Sequence, residues 1–182
     1  TPITRLQLRL EYLKDTPHYD KAIRDIEIMN DMISSILSFA RDNAQNEPME
    51  RFDFSALLES LCDDMIDMGE QVTYKSTTDR LCYSGRLSSL RRAFTNFIDN
   101  AIKYGKTAEV AMQANKQEIH IKIGDQGPGI PEDQLEQVFE PFYRVDPARS
   151  PQITGAGLGM TIAREIIRSH GGDVTLRNRR GA

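Results

Sequence analysis

The sequence is poor in cysteine, with Cys62 and Cys82 the whole complement. Two thiols are too few for a disulfide framework and lack metal-site spacing, which predicts a reducing compartment, two buried thiols and no redox chemistry. An excess of basic charge is also missing. Against 23 Lys and Arg stand 27 Asp and Glu, for a formal net charge of −4. No broad cationic field is therefore available to hold nucleic acid or anionic lipid, and a nucleic-acid partner is not expected. No run approaches the roughly 18 consecutive apolar residues of a membrane-spanning helix, and the N-terminus has no basic region followed by an apolar one. Glycine (12) and proline (8) are too scarce for collagen-like or low-complexity chains.

What remains is ordinary globular material: 39% hydrophobic and 27% charged residues over 182 positions. At about 150 residues per domain, that length predicts one full domain and a small second element. The chain opens abruptly on Thr1-Pro2 and stops at Gly181-Ala182 just after a strand-like stretch. It reads as a piece of a longer protein.

Periodicity divides it. Ile3, Leu6, Leu10 and Leu13 alternate spacings of three and four, a coiled-coil-type seam. Pro17 breaks the run, and Ile26, Met29, Ile33, Ile36 and Ala40 then repeat the pattern. Two such helices form an antiparallel hairpin too small to be stable alone, which pairing two copies into a four-helix bundle would solve. The polar stretch 41–51 lacks periodicity and carries Pro48. The expected domains are a hairpin over 1–45, a linker over 46–51 and a larger unit over 52–182.

In the larger unit, Phe54, Leu57, Leu58, Leu61, Met65 and Met68 predict an amphipathic helix ending near Gly69, with Val72 and Tyr74 on a strand. Leu87, Leu90, Phe94, Ile98 and Ala101 predict a second helix. Strands follow around 109–113 and 118–124, turning at Asn115-Lys116. A last helix is expected over about 158–169, ended by His170-Gly171-Gly172, and Val174 and Leu176 suggest one more strand. The fold class is α+β: a helical hairpin, half of a dimeric four-helix bundle, then an α/β sandwich of helices layered on a mixed sheet.

Three stretches carry candidate chemistry. Asn96, Asn100 and Lys103 share the helix face opposite the apolar stripe. An amide oxygen is a hard, neutral ligand suited to Mg²⁺, and a lysine can neutralise phosphate; the plainer reading is a solvated helix face. Tyr104 can stack on a ligand ring or close the core. Asp125 ends an alternating strand just before Gly127 and Gly129. Its carboxylate can accept the amino hydrogens of adenine where guanine's carbonyl would clash, and the glycines let a ligand approach the main chain. The plainer reading is a turn. Gly155, Gly157 and Gly159 open a helix whose free N–H groups suit phosphate, after a polar stretch at 145–154 that reads as a lid. Between them, Phe139 and Phe142 read as core or hinge packing and Arg144 as a phosphate contact.

Taken in order, NFIDNAIKYG (96–105), DQGPGIP (125–131), FEPFYR (139–144) and GAGLGM (155–160) resemble the N, G1, F and G2 boxes of sensor histidine kinases. Residues 1–6 resemble the second half of the family's H box. The resemblance implies a dimerisation and phosphotransfer hairpin followed by a Bergerat-type ATP-binding domain, with ATP and Mg²⁺ as cofactors. It implies Asn100 as Mg²⁺ ligand, with Asn96 as second ligand or catalytic helper. Lys103 and Arg144 would contact phosphates, Tyr104 and Phe142 line the nucleotide, and Asp125 read adenine. Gly127, Gly129, Ile130, Gly155, Gly157, Leu158 and Gly159 would form the pocket's edges, and Thr1 would position water for dephosphorylating a partner.

The implied partners are a second copy of the chain and a response regulator's receiver domain. The implied setting is the cytoplasmic part of an inner-membrane sensor, attached through an upstream region. The phosphoacceptor His, expected four residues before Thr1, is not in the sequence; His18, His120 and His170 lie in other contexts, and this polypeptide is expected to bind ATP without phosphorylating itself. The alternatives are a degenerate kinase serving as a docking platform for the regulator, and another Bergerat-fold ATPase.

Overall fold

In this computed structural model the described residues are 10, 19, 22–23, 26, 29–30, 32–33, 47–78, 80–115, 117–145 and 157–179. Among 10–33, every described position is helical. Ile26 is buried and Met32 packs on the core of the larger unit, while Met29 and Ile33, on the expected seam, are exposed.

The larger unit begins with strand β1 (Glu50–Asp53), which runs directly into helix α1 (Phe54–Asp67). Asp53 makes the junction. Its Oδ1 accepts the N–H groups of Ser55 and Ala56 at the helix start and that of Leu81 at 3.2 Å, so one carboxylate caps α1 and ties it to the chain before the next strand. Gly69, at φ +89°, ends the helix, donating to the Ile66 carbonyl while Glu70 donates to that of Met65. Strand β2 (Gln71–Ser76) and strand β3 (Cys82–Gly85) follow, then helix α2 (Leu87–Gly105), strands β4 (Thr107–Ala114) and β5 (Ile119–Gly124), two single 3₁₀ turns (Glu132–Gln134 and Gln137–Phe139) and helix α3 (Gly159–Ser169).

The main sheet has the order β2-β4-β5, with β2 parallel and β5 antiparallel to the central strand. Ala108, Val110 and Met112 of β4 alternate inward, which is why the central strand reads so clearly. They meet Leu57, Leu58, Leu61 and Cys62 of α1, Leu90, Phe94 and Ile98 of α2, and Ile162 and Ile166 of α3 in one core. Each fully buried side chain of this kind contributes roughly 1.5–3 kcal/mol. Phe54 anchors the corner, edge-on to Phe94 at 5.6 Å and to Tyr83 at 5.3 Å between ring centroids.

Four expectations are corrected. First, the ladder of β1 with β3 starts at Glu50↔Gly85, inside the stretch expected as linker. Glu47 is fixed as well: its carboxylate accepts the Ser88 N–H at 2.7 Å, the Ser89 N–H at 3.1 Å and the Ser89 hydroxyl at 2.7 Å. The fold thus extends to residue 47. Second, the β1–β3 pair went unread because four-residue strands are too short to display alternation. Third, only Cys62 is buried; burial, then Asp63 and Glu59, push its thiol up to about 11. Cys82 is exposed on β3, where Arg51 donates to its sulfur. Fourth, Val174 and Leu176 form no strand. The Val174 N–H is spent on the Asp173 carboxylate at 2.8 Å, and Asn178 and Arg179 bind loop and sheet through side chains instead.

Candidate nucleotide site

Helix α2 turns Ala93, Phe94, Ile98 and Ala101 into the core. Its opposite side leaves Asn96 and Asn100 half-buried and Lys103 and Tyr104 exposed. Helix α3 packs beside α2, and its first turn meets that polar side: a Cβ at Gly159 would lie 3.6 Å from Asn96 Oδ1. Leu158, which precedes α3, supplies no side-chain cap, and the first turn of the helix lies beside the Asn96 amide.

The other end of α2 receives the strand-ending loop. A Cβ at Gly105 would fall 2.5 Å from Asp125 Cβ, and one at Gly127 would fall 3.0 Å from the Tyr104 carbonyl oxygen. The 125–127 loop therefore lies directly on the last turn of α2, and glycine at these two positions permits the approach. Asp125 Oδ1 accepts the Gly127 N–H at 2.7 Å, which sets the turn. Gly129 takes φ +75°. Beyond it Ile130 is held at both ends of its peptide unit, donating to Asn178 Oδ1 at 2.9 Å and accepting from Asn178 Nδ2 at 2.7 Å.

The third wall joins two stretches. Phe142, at φ +67° and 54% exposed, donates its N–H to the Gly157 carbonyl at 3.0 Å. Gly157 itself takes φ +70°, and a Cβ there would lie 2.9 Å from the Phe142 carbonyl carbon. A bulky residue in the left-handed region is strained and persists only where its surroundings over-determine it. Here the glycine carbonyl and close backbone packing do so. Leu158 is buried beneath, and Arg144 follows half-buried.

The structure thus brings Asn96 to Gly159, Tyr104 to Asp125 and Gly127, and Phe142 to Gly157; Asn100 and Lys103 share the face of α2 between the first two contacts. Thr1 and Gly155 lie outside the described residues. A hollow of about 160 Å³ on the sheet's outer face, lined by Thr73, Lys75, Glu109, Lys122 and Arg179, includes none of these residues.

The donor set fits a magnesium nucleotide better than a protein-caged metal. No group of three or more His, Cys, Asp or Glu side chains able to hold an ion occurs among the described residues. Asn96 and Asn100 offer one or two neutral oxygens, the partial set expected for Mg²⁺ that keeps its waters and phosphate ligands. Burial, partly offset by Lys103 and reinforced by Glu70, holds the neighbouring Asp99 carboxyl above its ordinary value.

Sequence reasoning missed three residues here. Asn178 and Glu47 had no local signal, because each acts on backbone far along the chain. Arg164 had one: a cation set between Ile162, Ala163 and Ile166 in an apolar helical stripe.

The family described as histidine kinase-, DNA gyrase B-, and HSP90-like ATPase matches residues 85–182. The fold is of the Bergerat α/β type, and the chain belongs to this ATPase family. Among its relatives, sensor histidine kinase GtrS of Pseudomonas aeruginosa is 36% identical over 180 residues, covering 99% of this chain and 37% of that protein. Sensor histidine kinase CpxA of Escherichia coli is 31% identical over 182 residues, covering 94% of this chain and 40% of that protein. Full-length ShkA, solved in complex with AMPPNP, superposes with a TM-score of 0.70 at 21% identity over 89% of this chain and 35% of that one; at that identity the likeness speaks to fold alone. The chain spans less than half the length of these curated relatives.

Proposed function

We propose that the chain is the kinase core of a two-component sensor, made of a hairpin over 1–45 that dimerises and an ATP-binding unit that phosphorylates a histidine upstream of Thr1 on the same helix. The observation carrying this reading is the junction of four separated stretches: Asn96 against Gly159, Tyr104 against the Asp125 loop, and Phe142 against Gly157. In the proposal, Asp125 accepts the amino hydrogens of adenine and Tyr104 lies beside the ring. Asn100, with Asn96, would offer oxygen to Mg²⁺, which would supply neutralisation of phosphate charge. Lys103 and Arg144 supply countercharge, and Gly155, Gly157, Leu158 and Gly159 let the phosphates reach the backbone of α3. Phe142 and Ile130 close the edges.

Phosphoryl transfer through a loose transition state asks mainly for placement and charge neutralisation, which a stripe of amides and cations beside a helix start provides. Among the three histidines, His170 is committed structurally: Nδ1–H donates to the Ile166 carbonyl at 2.7 Å and Nε2 accepts the Arg86 N–H at 3.1 Å. His120 faces Glu118 on the sheet edge. By the resemblance of residues 1–6 to the second half of the H box, the proposed acceptor is a histidine four residues before Thr1, His18 lying outside the described residues, and the phosphoryl group then passes to an aspartate of a response regulator. Thr1 is proposed to position water in the reverse, phosphatase direction. The setting proposed is the cytoplasmic part of a membrane sensor.

Calorimetry of the chain with ATP and Mg²⁺ tests the reading. Saturable, Mg²⁺-dependent heat is expected, lost in Asn100→Asp and in Asp125→Asn. Absence of heat from the unaltered chain overturns it.

A further inference from the structure

Arg164 sits in the middle of α3, flanked on the same helix by buried Ile162, Ala163 and Ile166, and its side chain is only 10% exposed. A guanidinium cannot shed its charge, so burial requires anionic partners. It has two, from different parts of the chain. Nε donates to Asp173 Oδ1 at 3.0 Å, just past the end of α3. Nη1 donates to the Glu136 carboxylate, which precedes the second 3₁₀ turn. The guanidinium carbon lies 4.3 Å from the centroid of the Phe139 ring, within cation–π range.

The two carboxylates are not equivalent. Asp173 is also held by Arg168, through Nε at 3.1 Å and Nη2 at 3.3 Å. Among the described residues Glu136 has Arg164 as its one cationic partner. Removing the Asp173 contact therefore leaves the tail fastened, whereas removing the Glu136 contact frees the 136–139 turn from α3. That turn leads straight into the wall of the candidate site. Three residues after Phe139, the Phe142 N–H is bound to the Gly157 carbonyl, and Arg144 lies two residues further on.

Resting on the nucleotide-binding reading above, we propose that Arg164 is a positioning residue for the triphosphate. It clamps Glu136 and Phe139 to α3, and so fixes the height at which Phe142 and Arg144 stand against the start of that helix. It touches no ligand itself. The planar fork and the flat stacking face are both used, and a lysine ammonium supplies neither.

The test is calorimetric titration of the full chain with Mg²⁺-ATP, run beside thermal melting. Arg164→Lys and Glu136→Gln are each expected to weaken ATP binding by about tenfold, and Asp173→Asn by less than about twofold even where it lowers the melting temperature. Because Arg164 acts through the 139–144 segment, Arg164→Lys combined with Arg144→Ala should lose less than the sum of the two single losses. Unchanged affinity in both Arg164→Lys and Glu136→Gln overturns the proposal. So does affinity that tracks melting temperature equally across Glu136→Gln and Asp173→Asn, or additive losses in the double variant. Should Arg164→Lys fail to fold, the exposed Glu136 still decides the matter. No binding by the unaltered chain sinks the functional reading itself, whereas normal binding there with unaffected variants sinks only the role of Arg164.

Discussion

The two helices that frame the candidate site begin in opposite ways. Neither Arg86 at the start of α2 nor Leu158 at the start of α3 supplies a side-chain cap. At α2 the deficit is met by Glu47, 41 residues away, whose carboxylate takes two backbone N–H groups and a serine hydroxyl. Among the described residues no side chain does so at α3, and an amide, Asn96, stands beside it. Within the described residues, one helix start is thus filled by the protein's own carboxylate and the other is not. The first is structural. The second is where a ligand's anion would take the place that Glu47 takes on α2.

That contrast can be broken. The largest effect is expected from Gly157→Ala, because a Cβ there meets the Phe142 carbonyl carbon at 2.9 Å and the backbone sits at φ +70°. Stability should fall by about 1–3 kcal/mol in chemical denaturation, with ATP binding lost at temperatures where the variant stays folded. Next, Met160→Glu places a carboxylate in the first turn of α3. ATP affinity in the calorimeter should drop by about tenfold or more while the fold persists. If affinity holds, the anion is not seated at that helix start.

The converse change belongs to α2. Glu47→Gln should cost about 1 kcal/mol in urea unfolding and leave ATP affinity unchanged. Burial pushes the Glu47 carboxyl up, but the Ser89 and Ser88 hydrogen bonds outweigh it and hold the group below its ordinary value. Its stabilisation is therefore present above the unfolded-state value of about 4.3 and disappears as pH falls through the lower folded-state value. The unaltered chain and Glu47→Gln should converge in acid and separate near neutrality. The smallest effect is expected at Asp99, whose carboxyl is held above its ordinary value by burial. Ionised at neutral pH it opposes folding, so Asp99→Asn should raise the melting temperature slightly, with the gain vanishing as pH falls below the folded-state value.

Much of the fold was legible along the chain. The alternation of Ile119, Ile121 and Ile123, the three- and four-residue steps of α1 and α2, and Gly69 at the end of α1 are local patterns, and the elements formed where those patterns lie. The β1–β3 ladder was not legible, since Glu50–Asp53 carries no alternation and acquires its strand only by pairing with Cys82–Gly85. The candidate site divides the same way. Asn96, Asp125 and Gly157 were candidates by type and spacing, whereas Phe142 read as core or hinge packing and stands 54% exposed. The Asn178 clasp on Ile130, the Glu47 cap and the Arg164 clamp each join residues at least 28 positions apart.

By itself, the sequence determined which segments are helix or strand, because each side chain's period against 3.6 or 2 is a property of neighbours in the chain. It also set the order of amides, carboxylate and glycines along the chain, in which the resemblance to the ATPase family lies. Tertiary structure alone decided that Asn96 faces Gly159, that Glu47 caps α2 from 41 residues away, and that the tail binds by side chains rather than as a strand. Those outcomes depend on which buried polar groups find partners once distant segments pack. A buried donor or acceptor must be matched wherever the fold happens to bring it.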